Sequence, residues 1–209
     1  MNKKLLKVNS SIKSWIGIGD LHGDVSKLNL MLRKIENLPY VVDAIILLGD
    51  IISESAGGGK ILYTIKSIKS SQIELIYGNH DVEFLNAYNM VRSNLKKKNQ
   101  FLEYFGLGEE IMHWFEFMGV YSLELESAFL SHAGLDDRFS LSEQSIENLI
   151  YSSFKENLNH ITQKLVIQGH IPMNKVKSYG SHWFLDTGCG YGGSLSALVY
   201  PSMEILNVT

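Results

Sequence analysis

The sequence is short of cysteine, of arginine and of long apolar runs. A single cysteine, Cys189, among 209 residues excludes an internal disulfide framework and suits a reducing compartment. No apolar run reaches the roughly 20 residues that a bilayer span needs. The first residues carry lysines, but Lys7 and Asn9 break their apolar part, so they do not read as a signal peptide. The expected location is cytoplasmic, with no membrane partner. Positive charge is scarce too: 19 Lys and Arg face 22 Asp and Glu, a formal net charge of −3. That argues against a chain held to nucleic acid or anionic membrane by broad electrostatic attraction. Repeats, linkers and low-complexity tracts are absent.

What remains is an ordinary globular composition, 45% hydrophobic and 20% charged, able to bury a core. Against a prior of roughly 150 residues per domain, the chain reads as one domain, 1–209, with a candidate helical insertion at 99–118. Ser14 to Gly19 reads as a buried strand. Val25, Leu28, Met31, Leu32, Ile35 and Leu38 then recur at helical spacing behind a capping Asp24, and Pro39 stops the helix. Val41 to Leu48 is a second apolar strand. A glycine-rich loop, Gly57 to Gly59, leads to a helix with Ile61, Leu62, Ile65 and Ile68 on one face, and Ile73 to Ile76 is a third strand. Strand, helix, strand, helix, strand implies parallel pairing. Further on, the patterns predict a helix ending at Lys96 to Lys98, a half-exposed strand over Val120 to Glu126, a strand over Ala128 to Ser131, and a helix over Ser142 to Leu158. Later strands fall at Leu165 to Gln168, Trp183 to Leu185 and Leu195 to Tyr200. The aromatics between Phe101 and Phe117 read as core.

The polar residues of interest follow the apolar strands: Asp20 and His22; Asp50; Asn79 and His80; His132; His170. The carboxyl ends of parallel strands open into a crevice where ligands bind. Carboxylate, imidazole and amide oxygen suit a hard or borderline divalent metal. Seven donors exceed what one ion needs. Two ions about 3.5–4 Å apart, sharing a carboxylate, would use them, and such a pair generates hydroxide near neutral pH and neutralises a phosphoryl group.

Gly19-Asp20-Leu21-His22-Gly23, Gly49-Asp50, Gly78-Asn79-His80-Asp81, Ser131-His132-Ala133-Gly134 and Gly169-His170 resemble, in order, the motif set of the calcineurin-like metallophosphoesterases. The stretch from Leu185-Asp186-Thr187-Gly188 through Gly192-Gly193 to Pro201 resembles the bacterial and phage serine/threonine phosphatases and the diadenosine tetraphosphatases. Pro172 stands where many other branches carry a second histidine. The resemblance implies an α/β fold, a four-layer α/β/β/α sandwich of two mixed sheets. It implies two divalent metal ions, Mn²⁺ first with Fe or Zn as alternatives. Asp20 and His22 would hold one, Asn79, His132 and His170 the other, and Asp50 would bridge them. His80 would be the general acid.

The chain departs from the family pattern after Asp50, where an aspartate and an arginine are expected. Ser53 stands in place of the aspartate that would orient His80, and Glu54 in place of the arginine that would clamp phosphate. Only Arg33, Arg92 and Arg138 are available elsewhere. Arg138, Lys60 beside the Gly57 to Gly59 loop, and Tyr191 are the candidate substrate contacts. Asp81 reads as a helix cap. The expected activity is phosphomonoester hydrolysis, serine/threonine-phosphatase-like, with dinucleoside polyphosphate hydrolysis as the alternative. A reading of another class is a metal-binding module that has lost catalysis and recognises a phosphorylated partner. The expected partners are a phosphorylated small molecule, a nucleotide or a phosphoprotein. A nuclease would want a basic groove.

Overall fold

A computed structural model describes residues 5–152 and 158–209. Its elements in chain order are β1 (Lys7–Val8), β2 (Trp15–Ile18), α1 (Val25–Glu36), β3 (Ala44–Leu47), α2 (Ile61–Ser67), β4 (Gln72–Ile76), α3 (Asn79–Val91), α4 (Leu95–Phe105) and α5 (Glu109–Met118). There follow β5 (Gly119–Val120), β6 (Ser122–Glu124), β7 (Ala128–Ser131), α6 (Ile146–Tyr151), β8 (Leu165–Gln168), β9 (Lys177–Tyr179), β10 (His182–Phe184), β11 (Leu195–Tyr200) and β12 (Glu204–Val208). They build two mixed six-stranded sheets, ordered β1-β6-β7-β8-β10-β9 and β12-β11-β2-β3-β4-β5. No described helix is long and apolar enough to cross a membrane.

Alternation along the strands explains the layering. Trp15, Ala44, Ile46, Leu48 and Ile76 of one sheet pack with Leu123, Ala128, Leu130, Ile167 and Leu185 of the other, forming the core between the sheets. The intervening residues Ile16, Ile18, Ile45, Leu47 and Leu75 point the other way and join Leu28, Met31, Ile35, Ile61, Leu62 and Ile65 of the helices. A strand buried on both faces must be apolar at every position, which is why these segments read as continuous runs. Glu74 is the exception. It is buried within β4, and Lys7 of the other sheet places its Nζ 2.7 Å from both carboxylate oxygens, so the buried charge is paired.

Three local expectations need correction. Lys96 to Lys98 do not end a helix. They occupy the first turn of α4, where Asn94 Oδ1 accepts from the Lys97 N–H and Lys98 pairs with Glu109. The stretch Val120 to Glu126 is not one half-exposed strand. Val120 pairs with Ile76 in one sheet, while Ser122 to Glu124 pair with β7 in the other, and most of the run is buried. Its polar groups find internal partners: Ser122 Oγ donates to the Leu5 carbonyl and Lys164 Nζ lies 2.8 Å from Glu124. Of the helix expected over Ser142 to Leu158, the described residues form α6, preceded by a single 3₁₀ turn at Leu141–Glu143. Residues 153–157 of that expectation, like the lysines at 3 and 4, lie outside the described residues. The candidate insertion at 99–118 is occupied by α4 and α5.

The arrangement has one consequence for the site. β2, β3 and β4 run parallel, and β7, β8 and β10 run parallel in the other sheet. The carboxyl ends of both triplets meet along one rim.

Candidate metal centre

Asp50, in the loop after β3, holds the middle of that rim. Its carboxylate is buried, and its Oδ1 accepts from the His80 N–H at 3.0 Å. Its Oδ2 faces three imidazoles, 3.4 Å from His132 Nε2, 3.8 Å from His22 Nε2 and 4.0 Å from His80 Nε2. Burial opposes ionisation of Asp50, but His132, His80 and His22 outweigh it and hold the carboxyl down at about 2. The backbone is bent to make this possible. Among the described residues, His22 (φ 43°), Asp50 (φ 46°) and His170 (φ 63°) are three of the four non-glycine residues with positive φ. Such conformations cost free energy and persist where surrounding structure imposes them, commonly at functional sites.

On one side of Asp50 lie Asn79, His132 and His170. His132 Nδ1 is 2.8 Å from the Leu48 carbonyl, to which it must donate, so its Nε2 presents a lone pair. That nitrogen is 3.1 Å from Asn79 Oδ1 and 3.1 Å from His170 Nδ1. With Asp50 Oδ2, four nitrogen and oxygen atoms of metal-ligand type therefore converge. Two nitrogens each about 2.0–2.1 Å from one cation, at right angles, lie about 3 Å apart. The donor set and its spacing fit a divalent metal. Burial disfavours the imidazolium of His132, but Asp50 and Asp20 overcome it and raise the group to about 10. His170 is driven down to about 4, by burial and then by His132.

On the other side stands His22, grouped with Asp50 and His80; Asp20 falls in neither group of mutually close ligand atoms. Burial lowers His22, which favours the neutral form that ligates metals. Its ring is wedged in place: a side chain at Gly190 would come within 2.5 Å of His22 Cδ2, and the Tyr191 ring lies 5.9 Å from it. Asp20 accepts from the His170 N–H at 3.1–3.2 Å and is raised well above the usual carboxylate range by burial. Asp186, in the stretch after Leu185, is also buried. It accepts from the Gly188 N–H and shares its field with Asp20, His22, His132 and Asp50. Three carboxylates buried around one rim make a deficit of positive charge that bound cations would offset.

A profile of the calcineurin-like phosphoesterases matches residues 16–196. The chain belongs to that family. Family membership implies divalent metal ions, in keeping with the clusters His22–Asp50–His80 and Asp50–His132–His170. Similar curated proteins include the symmetrical bis(5′-nucleosyl)-tetraphosphatases of Sodalis glossinidius, 28% identical over 59% of this chain and 44% of that protein, and of Buchnera aphidicola, 26% identical over 66% and 54%. The chain thus spans about half the length of the curated relatives it matches. Among solved structures, a candidate diadenosine tetraphosphatase superposes with a TM-score of 0.77 at 18% identity, over 98% of this chain and 97% of that one. A serine/threonine phosphatase from Saccharomyces cerevisiae does so with 0.60 at 13%, over 98% and 82%. These two confirm the four-layer sandwich fold.

Against the calcineurin-like pattern, the loop after Asp50 is rebuilt. Ser53, at the position of the missing aspartate, bonds only locally, to Ser55. Glu54, one residue on and one methylene longer, places Oε1 3.2 Å from His80 Nδ1. Asp81 does not touch His80. It is fully buried and accepts from the N–H groups of Gly78, Ile51 and Ile52 at 3.0–3.1 Å, so it ties the loop after β4 to the loop after β3. Burial, with Asp50 adding to it, pushes its carboxyl up to about 7. An Asp81→Ala change strands three buried donors. At 1–3 kcal/mol for each unsatisfied group, a loss of about 3 kcal/mol or more is expected, a fall in Tm of roughly 6–12 °C for a chain of this size. Thermal melting followed by circular dichroism checks it, and a fall below about 2 °C would show that the loops are held by other means.

Of the three candidate substrate contacts, Tyr191 alone stands against a candidate ligand. Arg138 is bound by both oxygens of Asp136 and lines a cleft with Tyr151, whose ring is 6.5 Å from His170. Lys60 extends over Gly57 and Gly106, against the end of α4. Tyr191 is exposed beside His22 and lines a separate cleft with Met173 and Ser194.

Proposed function

We propose that the chain is a phosphoesterase working with two divalent cations, Mn²⁺ foremost. Asp20, His22 and Asp50 would hold one, and Asp50, Asn79, His132 and His170 the other. The observation that carries this reading is the crowding of nitrogen and oxygen atoms of metal-ligand type on both sides of Asp50 Oδ2. Bound there, the cations supply hydroxide near neutral pH and neutralise charge on a phosphoryl group. The chain's own part is to orient and to move a proton. His80, second residue of α3, is fixed through its N–H to Asp50 Oδ1 and through its ring to Glu54, and it protonates the departing oxygen. Phosphomonoesters are the favoured substrates. A second reading, hydrolysis of a dinucleoside tetraphosphate, is favoured by the activity for which the similar curated proteins are named.

A panel with Mn²⁺ separates these readings: p-nitrophenyl phosphate, its bis-ester, a phosphopeptide, diadenosine tetraphosphate and a cyclic nucleotide. Turnover of p-nitrophenyl phosphate is expected, lost on chelation and restored by Mn²⁺. Faster turnover of diadenosine tetraphosphate would move the assignment to the second reading. Hydrolysis of none, with metal bound, would leave a metal-binding module that recognises phosphate.

A further inference from the structure

Beside His80, away from the other imidazoles, the surface falls into a cleft lined by Ile52, Glu54, His80, Glu83, Phe84, Ala87 and Phe105, with Ser53 at its edge. Two features set its chemistry. Its floor is apolar: Phe84 is largely buried and stacks edge-on to Phe105 with ring centroids 4.8 Å apart. Its mouth is acidic. One carboxylate oxygen each from Glu54 and Glu83 and a ring nitrogen of His80 lie within 4.8 Å of one another. Among the described residues neither glutamate forms an ion pair with a lysine or arginine. The Glu54 carboxylate meets His80, its side chain 78% exposed and open to an incoming group, and Glu83 accepts from the Tyr151 hydroxyl at 3.1 Å. The cleft holds about 190 Å³, below the roughly 300–1,000 Å³ of sites that enclose drug-sized ligands. It has room for a fragment of one ring.

We propose that this cleft receives the leaving group, and that it selects a small leaving group with an apolar body and a positive charge over one that carries negative charge. The inference rests on the phosphoesterase reading, because His80 delivers its proton to the oxygen that departs, and whatever is attached to that oxygen must lie on the His80 side. There it meets the phenylalanine floor and the two glutamates. A nucleoside diphosphate leaving group would be too large for the cleft and would bring its charge against both carboxylates, where the family arginine is absent.

The test uses two esters with the same scissile bond and opposite charge: the phosphates of tyramine and of 3-(4-hydroxyphenyl)propionic acid, each with Mn²⁺. At low salt, kcat/KM is expected to favour the tyramine ester about tenfold, since one ester gains and the other loses a partly exposed ion interaction. The ratio should shrink as salt screens the pair, and Glu83→Lys should reverse it. Equal kcat/KM in the native chain overturns the subsite while leaving the phosphoesterase intact. A second readout stands apart from turnover. In the metal-free protein, tyramine, and not the propionate, is expected to shift the NMR ring signals of Phe84 and Phe105. No shift overturns the subsite whatever the esters do. A shift without hydrolysis of either ester keeps the subsite and overturns the catalytic reading.

Discussion

An Asp50→Asn variant is expected to hydrolyse p-nitrophenyl phosphate with Mn²⁺ at least about a thousandfold more slowly than the native chain, while keeping its fold. Transition-state stabilisation by a metal pair amounts to several kcal/mol, and each 1.36 kcal/mol is tenfold in rate. Asp50 is the residue shared by the two clusters, His22–Asp50–His80 and Asp50–His132–His170. An asparagine can keep the Oδ1 bond from the His80 N–H, so the helix start survives. The amide nitrogen then replaces Oδ2 among the imidazoles, donating where a lone pair stood. Metal content measured by elemental analysis should fall below two ions per chain, with Tm changed little. Full turnover with two ions retained would remove the bridging role.

The site was legible where polarity interrupts an apolar pattern. Asp20, Asp50, Asn79, His132 and His170 each follow a strand too apolar to be a loop, and parallel order in both sheets then carries their side chains to one rim. The parts that sequence hides have physical causes. Alternation over Val120 to Glu126 reports that side chains point both ways, but not that the chain crosses between sheets at Tyr121. Glu74 looks misplaced in an apolar strand until Lys7, 67 residues away, is beside it. Asp186 lies in a stretch that marks the family branch but names no role for it; only the fold brings its carboxylate into the field of His22. Glu54 was the most misleading residue. By its place in the motif it stands where an arginine is expected, whereas in the structure it reaches back to His80 Nδ1, the duty expected of the absent aspartate. Position in a motif names a slot, but the reach of the side chain decides which neighbour it serves.

Replacing His80 by asparagine is expected to slow hydrolysis of phenyl phosphate by about 10²–10⁴-fold, the usual worth of a general acid. The loss should be smaller for p-nitrophenyl phosphate, whose stable phenolate departs with little need of a proton. That contrast separates general acid catalysis from a change in metal binding, which would slow both esters alike. It matters here because His80 also lies 4.0 Å from Asp50 Oδ2, close enough to disturb the ligands. Glu54 should rank well below. Its carboxylate is largely exposed, and a solvent-exposed ion pair is worth about 0–1 kcal/mol, so Glu54→Gln should cost at most about fivefold in kcat. With one negative charge removed from the cleft mouth, KM for an anionic ester should hold or fall. If Glu54 instead acted only by repelling substrate, the same variant would raise kcat/KM with kcat unchanged. Equal losses for phenyl and p-nitrophenyl phosphate in His80→Asn would remove the general-acid role and leave disturbed metal binding as the cause.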